Sequence, residues 1–230
     1  MNPTLQSVAP NVWLLTFPLK MLGADLRRNV TIIRLASGQL VIHSTGPFTE
    51  EDVTSIQTLG TPGWLIDTLL RHDTFAKEGR AAFPGIPYLA PVGFAEELPF
   101  DTLPLLPAPT EWNAELLVLE IKGAPEFDEY VVLHIPSRTL IVTDLLVNFP
   151  DSGHLWSDLL LRLATVHGHH DPGMTRPFHK AVKDLPAFRT SVEEILTWDF
   201  DRIIVGHGDV IEEGGKEKLR ATFRDAEILS

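Results

Sequence analysis

The chain has 230 residues, 44% of them hydrophobic and 22% charged, which is enough to bury a sizeable core and excludes a disordered or fibrous class. Nineteen Lys and Arg stand against 31 Asp and Glu, and the net charge of −12 repels phosphate backbones and anionic lipid, which argues against nucleic acid and membrane as partners. There are no cysteines, so disulfides, thiolate nucleophiles and Cys-ligated metals are excluded and any metal must be held by His and carboxylate.

Met1 to Pro10 lack the basic start and apolar run of a signal peptide, and no stretch approaches the ~18 apolar residues of a membrane span. A soluble cytoplasmic protein is expected. Short strands are predicted at Val12–Phe17, Val30–Leu35 and Gln39–Ser44, the last two joined by Ala36-Ser37-Gly38 as a hairpin turn. Thr49 can cap a following helix, with Glu50, Glu51 and Asp52 at its positive end and Gly60 stopping it. Trp64–Leu70 reads as a strand, leading through His72-Asp73 into a helix that Phe83-Pro84-Gly85 terminates.

Pro87–Ala90 is a short strand. Pro99 to Pro109, also carrying Pro104 and Pro107, is a connector without regular structure that joins two halves. Glu115–Lys122 alternates, and Tyr130–Ile135 and Thr139–Leu145 flank Pro136-Ser137-Arg138 as a second hairpin. Helices are predicted at Leu155–Val166, Ala187–Trp198 and Gly215–Ala226, with a strand at Arg202–Val205. Strands followed by helices, twice over, suit two facing sheets with helices outside, although periodicity leaves other α/β layouts open.

The sharpest local signal is the apolar strand that ends in Gly206-His207-Gly208-Asp209. Flanking glycines let the backbone turn tightly and leave the imidazole unobstructed at a sheet edge. A solvent-facing turn histidine fits the same spacing, so both readings stay open on spacing alone.

This motif resembles the last metal-ligand motif of the metallo-β-lactamase superfamily. The hairpin His134-Ile135-Pro136-Ser137-Arg138-Thr139-Leu140-Ile141-Val142-Thr143-Asp144 is similar to the hairpin of that superfamily that ends in the bridging aspartate, which makes Asp144 that residue. Asn29–Leu35 and Gln39–Ser44, with the turn Ser44-Thr45-Gly46, look like its early strands. The order of motifs over nearly the whole chain resembles the DUF4336 subgroup of uncharacterised proteins. The resemblance implies a four-layer αββα sandwich, residues 1–230 forming a single metallo-β-lactamase-like domain.

The departures bear on chemistry. The superfamily signature His-x-His-x-Asp-His clusters imidazoles and a carboxylate around two cations. Aligned from His72, this chain has Thr74, Ala76 and Lys77 at the remaining signature positions, and Gly123 to Glu129 offers only carboxylates where a further histidine is expected. The ligand set that the resemblance leaves is His72, Asp144 and His207, with Asp73 as a weaker candidate and Glu126 as another carboxylate within reach of the sequence argument. Such a set suits one divalent transition metal (zinc, iron or manganese), or none, and not a two-metal centre.

The resemblance implies a metal-dependent hydrolase of a small substrate; lactam, thioester and phosphodiester substrates all occur on the fold, which does not select among them. The alternative is a catalytically inactive member that binds a small molecule or a protein partner, and an iron-based redox protein is a third reading. His167-Gly168-His169-His170-Asp171 is a dense cluster better read as a solvated loop than as a site. His43 reads as a hydrogen-bonded core residue, His134 carries no assigned role, and His154 and His179 read as surface residues. No Gly-x-Ser-x-Gly elbow or dinucleotide fingerprint is present, and Gly214-Gly215-Lys216 lacks the rest of a phosphate loop. Trp112 and Trp156 fit either a self-association surface or the core, and the oligomeric state is not legible.

Overall fold

The computed structural model describes residues 4–21, 23–112, 114–150, 155–166 and 172–229. The first half contains β1 (Gln6–Ala9), β2 (Val12–Phe17), the short pair β3 (Lys20–Met21) and β4 (Ala24–Asp25), β5 (Arg28–Arg34), β6 (Gln39–His43), α1 (Glu50–Gln57), β7 (Thr61–Ile66), α2 (Ala76–Ala82), β8 (Tyr88–Ala90) and β9 (Leu103–Pro104). The second contains β10 (Leu116–Glu120), β11 (Tyr130–His134), β12 (Thr139–Ile141), α3 (Leu155–Ala164), α4 (Arg176–Ala181), α5 (Leu185–Thr197), β13 (Arg202–Ile204) and α6 (Gly215–Asp225).

One sheet has the order β1-β2-β5-β6-β7-β8-β9 and the other the order β10-β11-β12-β13. Because successive strand residues point to opposite faces, each strand feeds two cores. In the first sheet Ile33, Val41 and Ile66 face inward and pack with Val132, Ile141 and Ile204 of the second. Their neighbours Ile32, Ile42 and Leu65 face outward onto Ile56 of α1 and Ala76 of α2. On the far side, Val131, Leu133 and Ile203 pack with Phe178, Phe188, Val192 and Phe223 of the last three helices. Helix, sheet, sheet and helix are therefore stacked in four layers, each interface sealed by one alternate set of strand side chains.

Local chemistry sets the elements. At α1 the Thr49 hydroxyl accepts the Asp52 N–H at 3.2 Å while the Asp52 carboxylate accepts the Thr49 N–H at 2.8 Å, a reciprocal cap that satisfies two otherwise free donors. The proline-rich connector departs from the expectation of no regular structure, since Leu103 and Pro104 pair with Leu89 and Ala90. Their place at the sheet margin tolerates a residue without an N–H. Trp112 is fully buried and meets Trp64 edge-to-face with centroids 5.7 Å apart, so it is a core residue and not a surface one, whereas Trp156 is 64% exposed.

β12 stops at Ile141, short of the expected Leu145. The backbone there leaves the ladder because Glu129, which is fully buried, takes over its donors. Its carboxylate accepts the N–H groups of Thr143, Asp144 and Leu145 at 2.7, 3.0 and 2.8 Å. Burial and the nearby Asp144 charge raise the Glu129 pKa, and the three amide bonds oppose them. The result is a fixed turn carrying Asp144 at the mouth between the sheets. Glu129→Gln, which replaces one accepting oxygen by a donor, is expected to lower unfolding free energy by about 1–3 kcal/mol, and Glu129→Ala by more, as read by urea denaturation. An unchanged denaturation midpoint in both variants would show that the clamp contributes nothing.

Candidate metal centre

The two sheets are stitched together at one edge. The Asn29 side chain, held by Thr16 at 2.8 Å, donates to the carbonyls of Val205 and Gly208 at 2.9 and 2.8 Å, and its own N–H reaches Gly206 O at 3.0 Å. A strand of the first sheet thereby holds the Gly-His-Gly turn that follows β13. Both glycines are required there. A Cβ at Gly206 would come within 2.8 Å of Thr143 O, and Gly208, at φ +100°, would place one 2.0 Å from Asn148 O, so any side chain would collide with backbone and, at Gly208, strain the left-handed conformation.

His207 emerges from this turn with Nδ1 2.6 Å from Arg27 O. A carbonyl only accepts, so Nδ1 carries a hydrogen and Nε2 is the ring nitrogen left to face the cavity. His72 lies in the turn after β7, its Nδ1 3.4 Å from Ser44 Oγ and 3.9 Å from Asp67 Oδ1. Ser44 itself adopts φ +76°, a conformation that a non-glycine residue holds only when its surroundings over-determine it. The two Nε2 atoms face each other at 3.3 Å, and His207 Nε2 is 3.4 Å from Asp144 Oδ1.

His72, Asp144 and His207 each present one ligand atom within 4.8 Å of the others. With metal–ligand bonds of about 2.0–2.2 Å, the edge of a coordination tetrahedron is about 3.3–3.6 Å, and both measured separations fall at that value. The donor set of two imidazoles and a carboxylate therefore fits one divalent ion, with the orienting hydrogen bonds on the far ring nitrogens that metal-bound histidines require.

The surroundings of His72 disfavour its protonated form. Burial, reinforced by the Arg28 charge, holds His72 well below its ordinary pKa. Arg28 is itself buried, donating to Thr45 O and His72 O at 2.9 Å each and pairing with Asp67 at 3.5 Å. Asp67, raised to about 6 by burial against the opposing influence of Arg28 and of the Tyr88 hydroxyl, accepts a hydrogen bond from Tyr88. Sequence reasoning missed Arg28, Asp67 and Glu129; three charged residues inside or beside apolar strands were the available signal.

Of the sequence candidates, the structure brings together His72, Asp144 and His207. Asp73 is exposed in the following 3-10 turn and stands outside that group. Glu126 is exposed and lies 3.7 Å from Lys183. His43 is a buried residue bonded to Thr68 Oγ1 at 2.9 Å, and burial takes its pKa down to about 3. His134 is buried with Nδ1 2.7 Å from Ser137 Oγ, and His179 is exposed. His154 and the cluster His167, His169, His170 and Asp171 lie outside the described residues.

The comparisons with known proteins agree with this architecture. No family model and no curated protein matches the chain. Solved structures do. A metallo-beta-lactamase from Pontibacter korlensis is 17% identical, with 98% of this chain and 99% of that one covered and a TM-score of 0.67. One from Hirschia baltica is 15% identical, with 98% of each chain covered at 0.67. The FIM-1 enzyme of Pseudomonas aeruginosa, solved in a mono-zinc form, is 17% identical over 99% and 96% of the two chains at 0.65. At these identities the likeness is one of fold: the chain has the metallo-β-lactamase fold over its whole length.

Proposed function

We propose that the protein is a metal-dependent hydrolase of a small substrate, using a single divalent ion held by His72, Asp144 and His207. The observation that carries this reading is the pair of ligand separations, 3.3 Å between the two Nε2 atoms and 3.4 Å from His207 to Asp144. An ion bound there would polarise a carbonyl or ester and bring the ionisation of water toward neutral pH. The chain's own groups supply the rest. Arg27 O and Ser44 Oγ orient the imidazoles, the Glu129 clamp fixes Asp144, and a largely apolar cavity lies beside them. Imidazole and carboxylate suit zinc, iron or manganese. On its second hairpin and Gly-His-Gly-Asp motif we place the chain in the DUF4336 subgroup, and we place it in the cytoplasm. Among the described residues, no helix is long and apolar enough to cross a membrane.

The replacement of the family's signature positions by Thr74, Ala76 and Lys77 favours a second reading, a non-catalytic protein that binds a small molecule or a partner on the same scaffold. Lys77 is exposed and Ala76 is buried in the outer core, so neither can contribute a ligand.

Protein purified after growth with zinc, iron and manganese is expected to carry close to one equivalent of transition metal by elemental analysis, and His207→Ala to lose it. Metal at 100 times its dissociation constant adds about 2.7 kcal/mol of stability, so a chelator should lower the melting temperature by several degrees and re-addition restore it. Metal-free protein with a chelator-insensitive melt would sink the first reading. Stabilisation by organic ligands alone would support the second. If the metal is present, Asp144→Asn should abolish esterase or lactamase turnover in a broad substrate screen while leaving the far-ultraviolet circular dichroism intact.

A further inference from the structure

The cavity next to the three ligands encloses about 340 Å³, within the range of small-molecule sites. Its walls are largely apolar, with Leu26, Phe127, Val147 and Leu161 among them, and Arg28 and Arg71 line it as well as the triad. In a chain of net charge −12, two guanidinium groups against the single lining carboxylate of Asp144 form a local reversal of sign.

The two arginines differ in what is left of their charge. Arg28 is committed to buried Asp67. Arg71 is exposed, and its Nε donates to Glu126 O at 2.9 Å, which fixes the plane of the group while leaving the terminal N–H fork unused by that bond. No carboxylate among the described residues lies in ion-pair contact with it, since the nearby Glu126 carboxylate faces Lys183 at 3.7 Å. A guanidinium held by one bond and otherwise open matches a carboxylate, which it grips through two parallel N–H donors.

We infer, resting on the metal-hydrolase reading above, that the substrate is a small amphipathic monocarboxylate. Its carboxylate pairs with Arg71, its apolar body lies along Leu26, Phe127 and Leu161, and its hydrolysable carbonyl reaches the His72, Asp144 and His207 end. A polyanion is disfavoured because only one open guanidinium faces the cavity among the described residues. A neutral apolar compound is disfavoured because it forgoes the charge-assisted pair that the open fork offers.

The test is calorimetric titration of 4-phenylbutyrate, 4-phenylbutanol, 4-phenylbutylamine and butyrate into zinc-treated wild type, Arg71→Ala and Arg71→Lys, with zinc content measured on every sample. Phenylbutyrate is expected to bind, with the alcohol, the amine and butyrate at least about tenfold weaker. Loss of a charge-assisted pair in Arg71→Ala should weaken phenylbutyrate by about tenfold or more, and Arg71→Lys should fall between because an ammonium lacks the fork. Equal binding of the alcohol, or no binding of phenylbutyrate to zinc-loaded wild type, would overturn the inference. So would full affinity in zinc-loaded Arg71→Ala, which would put the carboxylate on the metal. Arg71-dependent binding in protein that takes up no zinc would instead sustain the anion site and remove the metal reading.

Discussion

The arrangement at the mouth of the molecule depends on Asn29. The inner faces of two sheets pack through non-directional apolar contacts, which by themselves set a separation and not a register. Directional bonds from one asparagine to three carbonyls of the opposite sheet's Gly-His-Gly turn supply the register. Amide donors buried with no other partner make slippage costly. The placement of His207 opposite His72 is a consequence, because each sits in a turn leaving one of the two sheets. The hydroxyl pair Thr68 and Thr143, 2.8 Å apart, ties the turn after β7 to the turn after β12 that carries Asp144.

Around this stitch the charges are arranged in a nested order. Arg28 pairs with Asp67 beneath His72, and its charge adds to burial in disfavouring a proton on the imidazole. Burial then keeps it neutral, the state in which it can donate a lone pair. Glu129 plays the matching part below Asp144 by taking three amide donors that the end of β12 would otherwise leave unpaired. Each candidate ligand thus rests on a neighbouring group, the Ser44 hydroxyl, the Arg27 carbonyl or the Glu129 carboxylate, which is how sites that must hold an ion to within tenths of an ångström are supported.

Much of this was legible in the sequence, and the parts that were not share a physical cause. Short apolar runs between turn residues placed β2, β5, β6, β10 and β11 to within two residues, and Thr49 announced α1, because those signals are local. The Gly206-His207-Gly208 turn was legible for the same reason. β1 and the pair β3 and β4 were missed because short edge or flap strands lack a run of alternating residues long enough to read. α4 was missed because its six residues carry less than two turns of periodicity, although Thr175 capping Phe178 N and Pro177 in the first turn are a start signal that the sequence does contain. Arg28, Asp67 and Glu129 were passed over because a charge in an apolar strand takes its meaning from a partner distant in the chain, and pairwise burial has no local signature. Asp73 was overvalued for the converse reason: adjacency to His72 in sequence says nothing about which way a 3-10 turn aims the next side chain.

Packing also accounts for the small residues in the segment after His72. Ala76 is completely buried in the outer core with Ile42, Leu65 and Phe83, and Gly79, one turn further along α2, would bring a Cβ to 2.3 Å from the Thr45 side chain. The helix lies so close to the sheet that only small residues fit on that face. Imidazole or carboxylate at Ala76 would have to displace core side chains and bury a polar group among them, each at a cost of a few kcal/mol by the usual magnitudes. The segment after His72 is therefore a packed helix start with Lys77 exposed, which leaves no room for a metal ligand at Ala76. Beside it stand two imidazoles and one carboxylate on a largely apolar cavity, a donor set whose spacing suits a single ion.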